Sequence, residues 1–231
     1  MLYRLDRLSR THDAIRRAAY SILFRLPDSI KYAIGHVWRR FRRPYNLLEE
    51  GDMAIQVGAP WDTLKAGRSR SAYFARFVGH AGRVLALEPE KSNIEALRQF
   101  ANTHSLDQLD IVHTALWSEK ARLRFLCDPQ HPAANLVEAV LAEGRDPIGM
   151  ESTMVDADTL DAIVSELKIG KIKLLSVTTN GSEIEILQGA TNTLANVEYV
   201  SVITPSASEL LAAQGFSACG EDDRGYLFRK A

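Results

Sequence analysis

The sequence predicts an α/β domain with a Rossmann-like, doubly wound and mostly parallel sheet, preceded by a basic helical arm. From Gly51 onward, short apolar runs alternate with segments of helical periodicity, which is typical of βαβ units. The first apolar run breaks at Gly58, and the next one ends on Glu88. Residues 1–48 instead carry 11 lysines and arginines against 3 acidic residues, whereas the remainder carries 17 against 26. We therefore divide the chain into an arm, residues 1–47, and a domain, residues 48–231.

The composition indicates one globular domain plus an appendage. The chain has 231 residues, of which 46% are hydrophobic and 25% charged, and this is ample for a sizeable core. Cys127 and Cys219 lie far apart, so we predict neither a disulfide framework nor a zinc site, and the usage fits a reducing cytoplasm. No aspartate and histidine cluster has metal-ligand spacing, so no metal is predicted.

The arm reads as two amphipathic helices. Residues 1–26 place leucines and isoleucines among arginines at helical spacing. A second helix is predicted to start with Asp28 as its cap, to end before Pro44, and to carry apolar residues on one side: Ile30, Ile34, Val37, Trp38 and Phe41. No apolar run approaches the roughly 20 residues of a membrane span, and a signal-peptide cleavage pattern is missing. The expected location is cytoplasmic.

Three interpretations of the arm stay open. It could pack its apolar side on the domain, on a protein partner or on a second copy of the chain. It could attach to the anionic inner surface of a membrane, because interfacial helices combine an arginine-rich face with Trp and Phe. Nucleic acid is the weakest alternative, since no aromatic platform or recognised motif accompanies the arginines.

The elements of the domain follow from its apolar periodicity. We predict strands at residues 53–57, 84–87, 110–116, 121–127, 171–177 and 199–203, with an edge strand at 226–228. Helices are predicted at residues 72–78, from Ser92 as cap to about 104, at 158–167, after 184 and at 209–214. Residues 128–153 read as a long loop with one helical turn at 136–141, and loops of that length are usually lids or substrate contacts.

The rim formed by the carboxyl ends of these strands points to a nucleoside. Gly58, Glu88 and the turn at Thr178 all fall on this rim. A glycine turn lets the backbone approach a ligand, and an acid that ends the neighbouring strand accepts hydrogen bonds from ribose hydroxyls. The pair predicts an adenosine-type cofactor.

Five blocks of the sequence resemble the FkbM family of S-adenosylmethionine-dependent methyltransferases. In order they are Val57-Gly-Ala, Gly82-Arg-Val-Leu-Ala-Leu-Glu-Pro, Thr114-Ala-Leu-Trp-Ser, Asp158-Thr-Leu-Asp161 and Asn180-Gly-Ser-Glu-Ile-Glu-Ile-Leu-Gln-Gly189. The last block is the most specific, because it parallels the family's Glu-Gly-Ala-Glu, hydrophobic, Leu-Lys-Gly signature. The resemblance covers roughly residues 50–204, leaves the arm out, and implies a class I methyltransferase type of fold.

The resemblance also implies S-adenosylmethionine as cofactor and a set of site residues. Gly58 and Ala59 would approach its methionine part, and Glu88 would hold its ribose. The cofactor-binding candidates are Gln56, Gly58, Ala59, Glu88 and Ala115, and the catalytic candidates are Thr178, Asn180 and His131.

The chain departs from the family's pattern where that pattern carries acids. Gln56 stands in the place of an aspartate, Thr178 in that of a second aspartate, and Asn180 in that of a glutamate, while Thr204 replaces another acid. A methyltransferase that takes a proton from a hydroxyl uses a carboxylate or histidine, so the remaining base candidates are His131 in the long loop and His113. His113 also reads as a structural residue, and His131 as an ordinary loop residue.

Further candidates have two interpretations each. Trp61 and Trp117 could stack on adenine or fill the core. Arg68 and Arg70 could clamp an anionic substrate or lie in a solvated loop.

Two functional hypotheses follow. The first is a methyltransferase that acts on an O or N atom of a small molecule, glycan or lipid head group. The alternative is a methyltransferase fold without catalysis, a binding or scaffold subunit that works through its basic arm. Retention of Gly58 and Glu88 favours the first, and the loss of acids at positions 178 and 180 favours the second.

Overall fold

The computed structural model describes residues 26–141 and 149–231. The helix predicted for residues 1–26 lies almost wholly outside the described residues. The strands are β1 (Met53–Val57), β2 (Arg83–Glu88), β3 (Leu109–His113), β4 (Ala115–Leu116), β5 (Ala121–Cys127), β6 (Leu136–Val137), β7 (Glu151–Asp158), β8 (Ile172–Val177), β9 (Val197–Val202), β10 (Phe216–Glu221) and β11 (Tyr226–Lys230). The α-helices are α1 (Asp28–Arg39), α2 (Trp61–Lys65), α3 (Arg70–Val78), α4 (Lys91–Thr103), α5 (Leu160–Glu166), α6 (Glu183–Gln188), α7 (Thr191–Leu194) and α8 (Ser208–Ala213).

A seven-stranded sheet organises the domain. Its strand order is β10-β11-β9-β8-β1-β2-β3, and β1 pairs in parallel with both β2 and β8. The strand β11 runs antiparallel to both of its neighbours, β9 and β10. Chain order therefore reverses beside β1, and such switch points are where open α/β sheets bind ligands. The predicted Rossmann-like, mostly parallel sheet is confirmed.

The central strands are buried because helices cover both faces of the sheet. Ile55 and Leu175 belong to one apolar cluster, while Ala54 and Leu174 belong to the cluster on the other side. Strands covered on both faces read as nearly continuous apolar runs, which is why they were visible in the sequence.

A smaller sheet of order β4-β7-β5-β6 stands beside the first. The strands β5 and β7 pair antiparallel along their length, from Ala121 opposite Ala157 to Cys127 opposite Glu151. Residues 132–137, which include β6, extend from this sheet over the carboxyl ends of β1, β2 and β8. The second sheet thus supplies one wall of the cleft at the switch point.

Several boundaries differ from the sequence prediction. The strand predicted at 110–116 breaks at Thr114 and contributes β3 to one sheet and β4 to the other. The strand β7 begins inside the predicted loop, and residues 138–140 form a 3-10 turn rather than an α-helical one. The strand β11 lies inside the sheet, where β10 covers its outer side, so it is not an edge strand.

Two predicted helix caps were wrong. The residue that caps α1 is Pro27, and Asp28 is instead the first helical residue and pairs with Lys31 at 2.7 Å. At the start of α4 the cap is Glu90, whose carboxylate accepts a hydrogen bond from the Ser92 amide.

The helix α1 packs on α3 through aromatic side chains. Tyr32 is fully buried, with its ring centroid 4.9 Å from that of Tyr73 and 4.7 Å from that of Phe100. Tyr45, just after the helix, is also fully buried and donates a hydrogen bond to Asp223. The described part of the arm is therefore built into the domain. Among the described residues, no helix is long and apolar enough to cross a bilayer.

Candidate active site

A cavity of about 70 Å³ lies where β1, β2 and β8 end. Its floor is formed by residues that follow these strands, and its roof by residues 132–137. The lining includes Gly58, Pro60, Glu88, Thr114, Ala115, Phe125, Ala133, Asn135, Val137, Thr178 and Asn180.

Gly58 is required by the closeness of β1 and β8. Its φ is +85°, and a Cβ atom at this position would lie 2.8 Å from the carbonyl oxygen of Thr178. Any other residue would be strained at that φ and would collide with backbone. The glycine keeps the backbone at the floor of the cavity uncovered.

Glu88 ends β2 with a carboxylate that is held on both oxygens. Its Oε2 accepts a hydrogen bond from the Ala59 amide at 2.7 Å, and its Oε1 accepts from the Glu90 amide and from Asn93 Nδ2, both at 3.0 Å. The residue is 3% exposed, and burial raises the pKa of its carboxyl although these donors act in the opposite direction. Since a carboxylate offers about four acceptor positions, one remains for a ligand hydroxyl.

Asn93 is a site residue that the sequence analysis did not identify. Its Nδ2 donates to Glu88, and its Oδ1 accepts from the Trp61 amide at 2.9 Å, so one buried side chain orients both the carboxylate and the start of α2. A polar residue in the first turn of α4, beside the inward-facing Ile94, is a signal that could have revealed it.

Gln56 and Thr178, which replace two acids of the family pattern, contact each other. Gln56 Nε2 lies 2.7 Å from Thr178 Oγ1 and 2.8 Å from the carbonyl oxygens of Val57 and Gly58. Its Oε1 accepts a hydrogen bond from Ser176 at 2.7 Å. The paired substitution places a neutral, fully used amide beneath the cavity.

The same hydrogen-bond chain continues to Arg70. Its Nη1 donates to Ser176 at 2.9 Å and to Ser201 at 2.7 Å, and its Nη2 pairs with Asp222 and Asp223 at 2.7 and 2.5 Å. Burial opposes the charge, but these aspartates outweigh it and raise the pKa of Arg70. Arg70 is thus a buried structural cation, not the solvated loop residue or free clamp that the sequence suggested.

Asn180 fastens the roof of the cavity. Its Nδ2 donates to the carbonyl oxygens of Ala133 and Asn135 at 2.8 and 2.7 Å. The turn that carries it is fixed by buried Glu183, which accepts from Thr179 Oγ1 at 3.0 Å and from the Gly181 amide at 3.1 Å. The side chain at the family's glutamate position therefore holds residues 132–137 over the cleft.

The remaining predicted residues are not all at the cavity. Ala115 lines it, and Ala59 is buried beside it as a donor to Glu88. His131 is exposed and does not line it, and His113 faces a neighbouring groove with its Nε2 2.9 Å from the Pro89 carbonyl oxygen. Among the described residues, no group of three or more His, Cys, Asp or Glu side chains is arranged to hold a metal ion.

Replacing Asn180 by alanine is expected to loosen the roof and speed exchange of an adenosine ligand. The variant loses both bonds to residues 133 and 135, so we expect S-adenosylhomocysteine to associate and dissociate several-fold faster, roughly as one lost hydrogen bond of about 1 kcal/mol allows. Stopped-flow fluorescence measures both rates. Asn102→Ala, on the exposed side of α4, is the control, and unchanged rates in Asn180→Ala would refute the clamp.

Comparisons with known proteins were made by sequence family and by structure. A model of the methyltransferase FkbM domain matches residues 56–215. A comparison with curated protein sequences finds no significant match.

Solved structures give matches of low identity. A SAM-dependent methyltransferase from Aquifex aeolicus matches with 12% identity and a TM-score of 0.42, over 88% of this chain and 96% of that one. Aeropyrum pernix fibrillarin with natively bound S-adenosyl-L-methionine matches with 10% identity and a TM-score of 0.43, over 86% and 74%. A protein-L-isoaspartate O-methyltransferase matches with 18% identity and a TM-score of 0.25, over 29% of this chain and 19% of that one.

Because these TM-scores lie below 0.5, the fold assignment rests on the strand order and on the family match. The match begins at Gln56 in β1 and ends after α8, and so includes Gly58, Glu88 and the Asn180 turn. The chain belongs to the FkbM methyltransferase family.

Proposed function

We propose that the protein binds S-adenosylmethionine in the cavity at the switch point and transfers its methyl group to an O or N atom of a small molecule, glycan or lipid head group. The observation that carries this proposal is the buried Glu88 carboxylate beside the glycine turn at Gly58, at the carboxyl ends of β2 and β1. That pair of features is suited to a nucleoside.

The donor and acceptor groups fit the nucleoside end of this cofactor. Glu88 keeps one acceptor position for a ribose hydroxyl, and the apolar side chains of Leu87, Leu116 and Phe125 line the same cavity. The volume of about 70 Å³ is well below the roughly 300 Å³ at which ligand sites begin. Entry therefore requires residues 132–137 to move away, which makes the Asn180 clamp part of binding.

The chemistry proposed here depends on position more than on proton transfer. When bound, S-adenosylmethionine supplies a methyl group on a sulfonium. Among the described residues that line the cavity, Glu88 is the only one with an ionisable side chain, and its carboxylate is already bonded to three donors. Thr178 and Asn180 can orient an acceptor but do not remove its proton at neutral pH. The acceptor is accordingly a neutral amine or an acidic hydroxyl, for which alignment suffices.

Glu88→Ala tests the proposal by calorimetric titration with S-adenosylmethionine and S-adenosylhomocysteine. We expect micromolar binding by the natural protein and an affinity loss of about 1–3 kcal/mol in the variant, because charge-assisted hydrogen bonds to the ribose disappear. Glu95→Ala, an exposed acid on α4, should bind normally. Failure of the natural protein to bind either ligand would instead favour a scaffold without methyl transfer.

A further inference from the structure

A second pocket of about 80 Å³ adjoins the cavity on the side away from Glu88. The two share five lining residues, namely Gly58, Pro60, Ala133, Thr178 and Asn180. The far wall of the second pocket is the N-terminus of α3, at Ser69, Arg70 and Ser71, together with Arg224. Nothing in the roles described so far uses this wall.

Two buried donors in the wall have no partner among the described residues. Ser71 Oγ and Arg70 Nε make no hydrogen bond within this part of the chain, although the two residues are only 1% and 4% exposed. Leaving buried polar atoms unpaired is costly, so such atoms commonly mark a place where a ligand or water binds. Both atoms are hydrogen-bond donors here, so the missing partner is an acceptor.

The electrostatics of this wall favour a negative charge. Arg70 already occupies Asp222 and Asp223, whereas the Arg224 side chain has no ion pair within residues 26–141 and 149–231. Burial, together with the charges of Arg70 and Arg68, lowers the pKa of Arg224, although Asp223 acts in the opposite direction. The first-turn amides of α3 add a partial positive charge.

We propose that this pocket is an anion subsite in which Arg224 and Ser71 bind a carboxylate or phosphate group. The inference rests on the proposed function for its meaning, because the pocket continues the space in which the methyl donor would lie. The anion has two sources of the same chemistry, the carboxylate of the cofactor's methionine part and an acidic group on the methyl acceptor.

Inorganic phosphate, titrated into the full chain at constant ionic strength, is the probe for the subsite. We expect it to raise the unfolding midpoint of the natural protein, with an affinity roughly tenfold weaker in Arg224→Gln because a charge-assisted hydrogen bond is lost. Ser71→Ala should weaken binding less, and Arg98→Gln, an exposed arginine of α4, should not. Equal phosphate dependence in Arg224→Gln and the natural protein, or no dependence in either, overturns the proposal.

A second titration separates the two sources. S-adenosylhomocysteine carries the methionine-type carboxylate, and methylthioadenosine lacks it. Weaker binding of the first ligand alone in Arg224→Gln assigns the subsite to the cofactor, whereas unchanged binding of both assigns it to the acceptor. If phosphate binds and neither nucleoside does, the anion subsite stands and the proposed function fails.

An independent observation concerns the outer face of α1. Five large apolar side chains are exposed there, with Val37, Trp38 and Phe41 at 57%, 62% and 77% exposure, and Ile30 and Ile34 complete the face. The opposite face holds the helix to the domain, with the His36 ring stacked on Phe77 at 4.4 Å. Contiguous exposed apolar surface of this kind marks an interaction site.

The charges around this face are basic. Arg40 and Arg42 lie beside the rings of Phe41 and Trp38, at 5.8 and 5.2 Å from their centroids. The preceding 25 residues add six arginines against two aspartates. Aromatic side chains beside arginines match the headgroup region of an anionic bilayer, which accepts the rings and pairs with the guanidinium groups. We infer that the α1 face docks on an anionic membrane surface.

Cosedimentation of the full chain with vesicles of phosphatidylcholine, with or without phosphatidylglycerol, tests this docking. We expect binding that requires the anionic lipid, weakens with salt, and falls at least roughly tenfold in Trp38→Ser/Phe41→Ser. Met154→Ser, another exposed apolar residue, serves as control. Absence of vesicle binding, or equal binding by the double variant, refutes the inference. Dimers that the double variant dissociates, seen by light scattering without vesicle binding, would assign the face to a second copy instead.

Discussion

Replacing Arg70 by leucine is expected to lower the free energy of unfolding by about 3–5 kcal/mol. The guanidinium is buried against two carboxylates, Asp222 and Asp223, and two serine hydroxyls. Without it, two partly or fully buried negative charges lose their cation, and this costs far more than an exposed ion pair contributes. Equilibrium unfolding in urea measures the change, and Arg98→Leu on the exposed side of α4 should change little.

The defect of Arg70→Leu should depend on pH. Burial alone would raise the pKa of Asp223, but Arg70 outweighs it and lowers that pKa. A depressed carboxyl pKa stabilises the fold above the ordinary value of about 3.9 and ceases to do so as the pH falls through the lower folded value. The difference between the variant and the natural protein should therefore narrow below about pH 4. A difference that stays constant with pH would contradict the assigned charge pairing.

Replacing Gln56 by glutamate is expected to lower the free energy of unfolding by about 3 kcal/mol. The side chains have the same shape, but a carboxylate oxygen would face the carbonyl oxygens of Val57 and Gly58 at 2.8 Å, where an amide now donates. The position is 1% exposed, so water cannot relieve the repulsion. The variant should gain stability as the pH falls and the new carboxyl is protonated.

Gln99→Glu is the matched control, since Gln99 is exposed on α4 and the same chemical change there should be nearly neutral. A Gln56→Glu protein as stable as the natural one would show that the amide does not donate to these carbonyl groups. The network from Arg70 through Ser176 and Gln56 to Thr178 would then have to be rejected.

Much of the fold was readable from the sequence because the central strands are apolar on both faces. The strand β7 was missed for the opposite reason. Its residues 151–154 are exposed, and Glu151 and Asp156 interrupt any apolar alternation. What holds β7 is backbone pairing with β5, a long-range contact that leaves no local pattern. The second sheet, and with it the roof of the cavity, was therefore not predicted.

The candidate site divides in the same way. Gly58 and Glu88 were visible because each follows an apolar strand, so its place on the rim comes from topology alone. Asn93, the Asn180 clamp and Arg224 depend on contacts between segments distant in sequence, such as Asn180 with Asn135. Whether a residue such as Arg70 is solvated or buried likewise depends on the β10–β11 hairpin, more than 150 positions away.

The most direct test of cofactor binding at the switch point is amide hydrogen exchange, measured by mass spectrometry with and without saturating S-adenosylhomocysteine. We expect slower exchange at residues 57–60, 87–90 and 114–116, which line or support the cavity, and at 132–137, which must close over the ligand. Unchanged exchange in these segments, or protection confined to other parts of the sheet, would show that the cavity beside Glu88 is not the cofactor site.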